Sequence, residues 1–136
     1  GGVQYFIDKI CDNYGLDYGF ANQLKIENGQ VSGELEGQII DAEAKENTLV
    51  SLAKKEGFSL RQVVAVGDGA NDIKMLARAG LGIAFNAKPI VQRQALASIN
   101  QSNLKLILYF LGINGADLQE LDEVVRGGKV QSWPTK

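Results

Sequence analysis

Val63-Val64-Ala65-Val66-Gly67-Asp68-Gly69-Ala70-Asn71-Asp72 is the stretch on which the fold turns. Its first residues are apolar and mostly β-branched and lie between turn signals, the pattern of a buried strand in a parallel sheet rather than of a helix. Ile73, Leu76 and Ala77 then share one face of a short helix that Gly80 ends, and residues 81–85 read as a second parallel strand. In open α/β sheets ligands bind at the C-terminal ends of strands. Asp68 and Asp72 stand there at the mouth of the helix, and oxygen ligands on one rigid turn suit Mg²⁺, which takes one or two carboxylates and fills its other positions with water and phosphate oxygens. A dinucleotide-binding loop would need glycine where Asp72 stands, and two carboxylates repel a phosphate unless a cation intervenes. The same residue types also suit a plain turn, with Asn71 or Asp72 capping the helix.

On the C-terminal side, residues 86–89 form a turn, with Pro89 suited to the first position of a helix running to about residue 96. Residues 97–99 fit an edge strand, and the strongly apolar 104–111 predicts a helix buried against the sheet. A helix over 116–126 and a loose tail complete the chain. On the N-terminal side, Val3, Phe6, Ile7 and Ile10 repeat at helical spacing, Gly15 stops that helix, and 16–20 reads as a short strand. Alternating residues on either side of Asn28-Gly29 predict a β-hairpin over about 23–36, which needs something to lean on. Asp41 caps a helix that Gly57 closes, with Lys54-Lys55 near its end. Lys45 falls between Leu49 and Leu52 on the face of that helix directed at the sheet, where an ammonium needs an anionic partner or a route to solvent along its stem.

Composition narrows the chemistry. The 136 residues are 45% hydrophobic and 22% charged, enough for one globular domain with a core, and the net charge of −2 leaves no basic footprint for nucleic acid. No apolar run is long enough to span a bilayer, so neither a membrane nor a nucleic acid is expected as a partner. Cys11 is the single cysteine, which excludes an internal disulfide and fits a reducing, cytoplasmic compartment. It reads as an inert thiol in an apolar helix, because the chain has no histidine to act as its base. The same absence excludes Ser-His-Asp chemistry and disfavours zinc, leaving carboxylates, lysine and a hard metal ion.

Several of these stretches resemble a known family. GDGANDIKMLARAGLGIAFNAKP (67–89) is similar to the fourth motif of haloacid-dehalogenase-like phosphatases, specifically phosphoserine phosphatases. The opening Gly1-Gly2, FANQLKIENGQVSGELEGQIIDAEAK (20–45) and LILYFLGI (106–113) extend the resemblance over residues 1–113. It implies an α/β fold, a Rossmann-like parallel sheet with flanking helices and the hairpin as a flap, with 114–136 as a C-terminal helix and tail. The implied reaction is Mg²⁺-assisted hydrolysis of phosphoserine to serine and phosphate by way of an aspartyl-phosphate. By this likeness Asp68 would coordinate Mg²⁺ directly and Asp72 would hold the metal or its water, while Asn71 orients the phosphate. Lys45 would match the third motif, holding the phosphate and the nucleophile's carboxylate together. Gly1 would belong to the second motif and donate a backbone N–H, although the serine that precedes this glycine in the family is missing.

The family's nucleophile and acid/base are two aspartates spaced Asp-x-Asp at the end of the first sheet strand. This sequence has no such pair; Asp8 and Asp12, or Asp117 and Asp122, are wrongly spaced and lie in helical patterns. The resemblance therefore implies a partial domain, inactive alone, that starts after the first motif and the substrate-reading cap. The missing strand would lie beside the Val63 strand, so open apolar edges are expected there, filled by an N-terminal segment of the same protein or by a second chain. Three other readings stay open: a sugar-phosphate phosphatase of the same superfamily, which would differ in its cap; the phosphorylation domain of an ion-pumping ATPase, which has a similar GDG-x-ND loop; and a non-enzymatic interaction fragment.

Overall fold

The structure is a computed structural model that describes residues 2–117, 119 and 120. Gly1 and all but the first residues of the helix expected over 116–126 lie outside the described residues. By contact the chain falls into two units, residues 1–100 and 101–136, and all the described elements around the Asp68 loop belong to the first.

That unit opens with α1 (Gln4–Tyr14), which Gly15 terminates in a left-handed conformation at φ 63°, its N–H returning to the Cys11 carbonyl. The strand expected over 16–20 does not form. A strand requires a neighbour for its backbone groups, and here a side chain supplies those bonds instead. The Gln4 carboxamide donates to the Gly19 carbonyl at 3.1 Å and accepts from the Ala21 N–H at 2.8 Å. Tyr18 and Phe20 stack on each other, and the Tyr18 hydroxyl donates to Glu56 at 2.6 Å.

The hairpin forms as expected from β1 (Gln23–Glu27) and β2 (Gln30–Glu36), antiparallel, with Ile26 opposite Val31. Asn28 and Gly29 both have positive φ, 53° and 77°, which matches the right-handed twist of the two strands. Lys25 bridges Glu27 and Glu34 at 2.7 and 3.2 Å. The hairpin does not gain the apolar support expected of it, because Ile26, Val31 and Leu35 are all exposed.

Next comes α2 (Ala42–Lys55), capped by Asp41, whose Oδ1 accepts the Ala44 N–H at 2.8 Å, and followed by Gly57 at φ 74°. The central sheet is β3 (Val64–Gly67), β4 (Leu81–Phe85) and β5 (Ala97–Ile99), parallel and in that spatial order, with α3 (Ile73–Arg78) between β3 and β4 and α4 (Pro89–Gln92) between β4 and β5. Leu49 of α2, Leu76 of α3, Val91 of α4 and the alanines at 65 and 84 form the buried cluster on one face of this sheet. The inward face of α3 is carried by Leu76, with Ala79 buried just beyond it, while Ala77, expected to share that face, is exposed. Helix α4 stops at Gln92 rather than near residue 96, and the Gln92 side chain turns back to the Ala87 carbonyl at 2.6 Å.

Two burial expectations fail. Of the β3 residues only Ala65 is buried; Val64 and Val66, on the opposite face, are 37% and 36% exposed. Side chains of a strand alternate between faces, so covering one face leaves the other to a second layer. Among the described residues β3 pairs with β4 alone, which leaves its other edge unpaired. In the second unit, the apolar helix expected to be buried is α5 (Leu106–Phe110), which has no buried residue and exposes Tyr109 and Phe110.

Candidate active site

At the C-terminal end of β3 the chain turns through Asp68 and Gly69 into a single 3-10 turn, Ala70–Asp72, and on into α3. The turn is organised by Asp72, which is only 5% exposed. Its Oδ2 accepts the backbone N–H groups of Asp68 and Gly69 at 3.1 and 3.0 Å, satisfying donors that the start of a helical segment leaves free. Its Oδ1 accepts the Lys45 ammonium at 2.6 Å. Lys45 reaches this point because the Asp41 cap fixes where α2 begins and α2 packs on α3. The anionic partner that a lysine on the sheet-facing side requires is thus Asp72, and Glu56, just past the end of α2, bonds Tyr18 instead.

Burial pushes the Asp72 carboxyl pKa up, but the Lys45 ammonium and the Gly69 and Asp68 N–H groups outweigh it and hold the group below its ordinary value. A carboxyl whose folded pKa is depressed stabilises the fold fully above its unfolded value, about 4, and loses that contribution as pH falls through the folded value. Urea midpoints measured from pH 6 down to pH 2 should therefore drop in the acid range, and Asp72→Asn should flatten part of that drop. An identical pH profile in the variant would refute the assignment.

Asp68 stands differently. Its carboxylate is exposed, is paired with no other described residue, and borders an open cleft of about 350 Å³ lined by Val66, Gly67, Asp68, Phe85 and Asn86. Asn71 is also exposed, with its Oδ1 over Gly69. The structure thus brings Lys45, Asp68, Asn71 and Asp72 to one strand end, while Gly1 lies outside the described residues. Sequence reasoning overlooked Asn86, which follows the C-terminal end of β4 and shares the cleft with Asp68; the strand-end rule that singled out Asp68 applies to it equally.

The donor set fits a hard cation in part. The Asp68 carboxylate is open to solvent and would offer an oxygen ligand of the kind Mg²⁺ prefers. Asp72, expected to hold the metal or its water, has its oxygens engaged by an ammonium and two N–H groups. Among the described residues no group of three or more His, Cys, Asp or Glu is gathered, so water, phosphate oxygens or another segment would complete the sphere. No described helix is long and apolar enough to cross a membrane.

Comparison with known proteins gives consistent matches. Residues 38–111 match the haloacid dehalogenase-like hydrolase family. A phosphoserine phosphatase of Archaeoglobus fulgidus is 53% identical over 104 residues, covering 76% of this chain and 30% of the relative. One from Methanocaldococcus jannaschii is 45% identical over 111 residues, covering 82% of this chain and 53% of the relative. The unliganded crystal structure of a probable phosphoserine phosphatase from Vibrio cholerae superposes with a TM-score of 0.79 at 36% identity, covering 88% of this chain and 37% of that one. The chain thus spans between 30% and 53% of the length of the two curated relatives.

Proposed function

Because the chain belongs to the haloacid dehalogenase-like hydrolases, we propose that it forms the cation- and phosphate-holding part of a phosphatase that hydrolyses phosphoserine to serine and phosphate. The observation that carries this reading is the Lys45–Asp72 ion pair tied to the loop that presents Asp68. Naming phosphoserine rather than a sugar phosphate rests on the relatives, which are phosphoserine phosphatases.

In this reading Asp68 supplies the direct carboxylate ligand for Mg²⁺, and the bound ion would offset charge on the phosphoryl oxygens. Asp72 fixes the loop and the position of Lys45. Lys45, held beside the loop by Asp72, would help neutralise the phosphate, and the Asn71 carboxamide, exposed over the loop, would orient it. The attacking carboxylate is not among these residues, and the sequence has no Asp-x-Asp pair to provide it. A strand bearing that pair, from an N-terminal segment of the same protein or a second chain, would pair with the edge of β3 that no described strand occupies, with Asp68 just past the end of β3. The nucleophilic carboxylate would take the phosphoryl group as the P–O bond to serine breaks and the pair's second aspartic acid protonates the serine oxygen; that same group, now a carboxylate, would take a proton from the water that hydrolyses the aspartyl-phosphate and releases phosphate.

The test uses the chain together with a polypeptide carrying the Asp-x-Asp strand. Phosphoserine turnover should require Mg²⁺, and Asp68→Ala should lower kcat by about 10²-fold or more. Retained turnover in that variant would overturn the role of Asp68. Faster hydrolysis of sugar phosphates than of phosphoserine would overturn the substrate.

A further inference from the structure

We propose that Asn22 is a positioning residue for Lys45: its side-chain carbonyl anchors the chain one residue before the Asp41 cap and so sets the first turn of α2, from which Lys45 reaches Asp72. The inference deepens the phosphate-neutralising role given to Lys45 above and rests on the ion pair behind it.

The backbone of Asn22 is held on both of its polar groups. Its N–H donates to the Gly2 carbonyl at 3.1 Å and its carbonyl accepts the Gln4 N–H at 2.9 Å, the two bonds of a parallel bridge between Val3 and Asn22. The preceding residue is braced as well, since the Ala21 N–H donates to the Gln4 carboxamide at 2.8 Å. From this fixed backbone the Asn22 side-chain oxygen accepts the Ile40 N–H at 2.8 Å, across 18 residues of sequence. Asp41 follows, and its carboxylate and its carbonyl accept the Ala44 and Lys45 N–H groups at 2.8 and 3.1 Å. Lys45 lies in the turn that these bonds close, and its ammonium meets Asp72 at 2.6 Å.

The start of α2 depends on such an anchor because packing against the 18–22 segment is missing there. That segment is tied to α2 near both ends of the helix. At one end the Tyr18 hydroxyl donates to Glu56 at 2.6 Å and the Lys55 ammonium lies over the Tyr18 ring; at the other the tie is Asn22 to Ile40. Between the two ties is an open cleft of about 580 Å³, with Tyr18 and Phe20 on one side and Thr48, Ser51 and Leu52 on the other. Of the buried residues of α2 only Leu49 belongs to the core cluster, a full turn beyond Lys45. The first N–H groups of a helix have no intrahelical partner, so an unanchored first turn frays. Where Lys45 stands therefore follows from what fixes residues 40 and 41.

The experiment is a double-mutant cycle between Lys45 and Asp72, using Lys45→Met and Asp72→Asn singly and together. It is measured by urea unfolding of the 136-residue chain in the wild-type, Asn22→Ala and Asn22→Asp backgrounds. Trimethylamine N-oxide is present throughout, at a concentration that keeps the most weakened variant folded before urea is added. Asn22→Ala should lower the midpoint, because the Ile40 N–H loses its partner, but a residue that only adds stability leaves the coupling between two others unchanged. Positioning predicts that the Lys45–Asp72 coupling falls to about half its wild-type value or less in Asn22→Ala. Asn22→Asp, whose carboxylate accepts the same N–H, should restore it. Full coupling in Asn22→Ala overturns the role of Asn22 and leaves the Lys45–Asp72 site standing. Coupling lost equally in Asn22→Asp overturns it too, since the acceptor would then not be what matters. Absence of coupling in the wild-type background overturns the ion pair that carries the proposed function, and this inference with it.

Discussion

Lys45→Met should lower the folding stability by about 3 kcal/mol, because it leaves the Asp72 carboxylate buried without its countercharge. The Asp72 side chain is 6% exposed and that of Lys45 20%, so water can replace little of the lost interaction. The two N–H groups that remain on Oδ2 should keep the loss below that of a wholly unpaired buried carboxylate. Asp72→Asn should also destabilise, since an amide cannot accept the ammonium and both N–H groups as a carboxylate does. The double variant should lose less than the sum of the two single losses, with a coupling of about 1–3 kcal/mol measured by urea unfolding at pH 7. Additive losses would mean that the 2.6 Å contact contributes nothing in solution. Because the pair also sets where Lys45 stands, each variant should weaken phosphate retention in the completed enzyme.

Gly67→Ala should disrupt the site more than any other single methyl group added to the loop. A Cβ at Gly67 would lie 2.5 Å from Asp72 Cβ, 2.7 Å from Cγ and 2.8 Å from Oδ2. A Cβ essentially never comes this close to other atoms, so something must shift, and Asp72 cannot step aside without giving up Lys45 and the Asp68 and Gly69 N–H groups. Overpacking of this kind costs about 1–3 kcal/mol, with loss of the turn's hydrogen bonds in addition. Gly69→Ala is the internal control. There the close atom is Oδ1 of the exposed Asn71, at 2.5 Å, the end of a side chain that can rotate away, so the expected loss is below about 1 kcal/mol. Urea midpoints for the two variants should therefore separate clearly, with Mn²⁺ affinity falling in Gly67→Ala. Equal midpoints would refute the close approach of Asp72 to β3.

Much of this architecture was legible in the sequence, for reasons local to each segment. Two left-handed residues at Asn28-Gly29 permit a tight hairpin turn, and the Asp41 carboxylate can reach the N–H three residues on. Glycine at position 15 can take the left-handed conformation that stops α1. The apolar run before Asp68 ends as a strand with its acidic turn at the C-terminal edge of a parallel sheet, as the pattern required. Misjudgements arose where a segment depends on a distant partner. Residues 16–20 have strand character, yet the Gln4 carboxamide takes the bonds a neighbouring strand would have made. Val64, Val66 and α5 were apolar enough to be buried, but burial belongs to the layer that covers a residue, and no described layer buries them.

The same division runs through the site. By itself the sequence determined that Asp68 and Asp72 close a strand and open a helix, and that Lys45 stands on the sheet-facing side of α2, because these follow from spacing and the fixed periods of strand and helix. Only the tertiary structure decided that Lys45, 27 residues away, spends its charge on Asp72, and that Asp72 is therefore a buried clasp while Asp68 is the carboxylate left open to a ligand. It also decided that Asn86 shares the cleft, because β4 lies beside β3 in register. Hydrogen bonding, burial and charge pairing between distant segments are set by packing, and packing is a property of the whole fold rather than of any window of the chain.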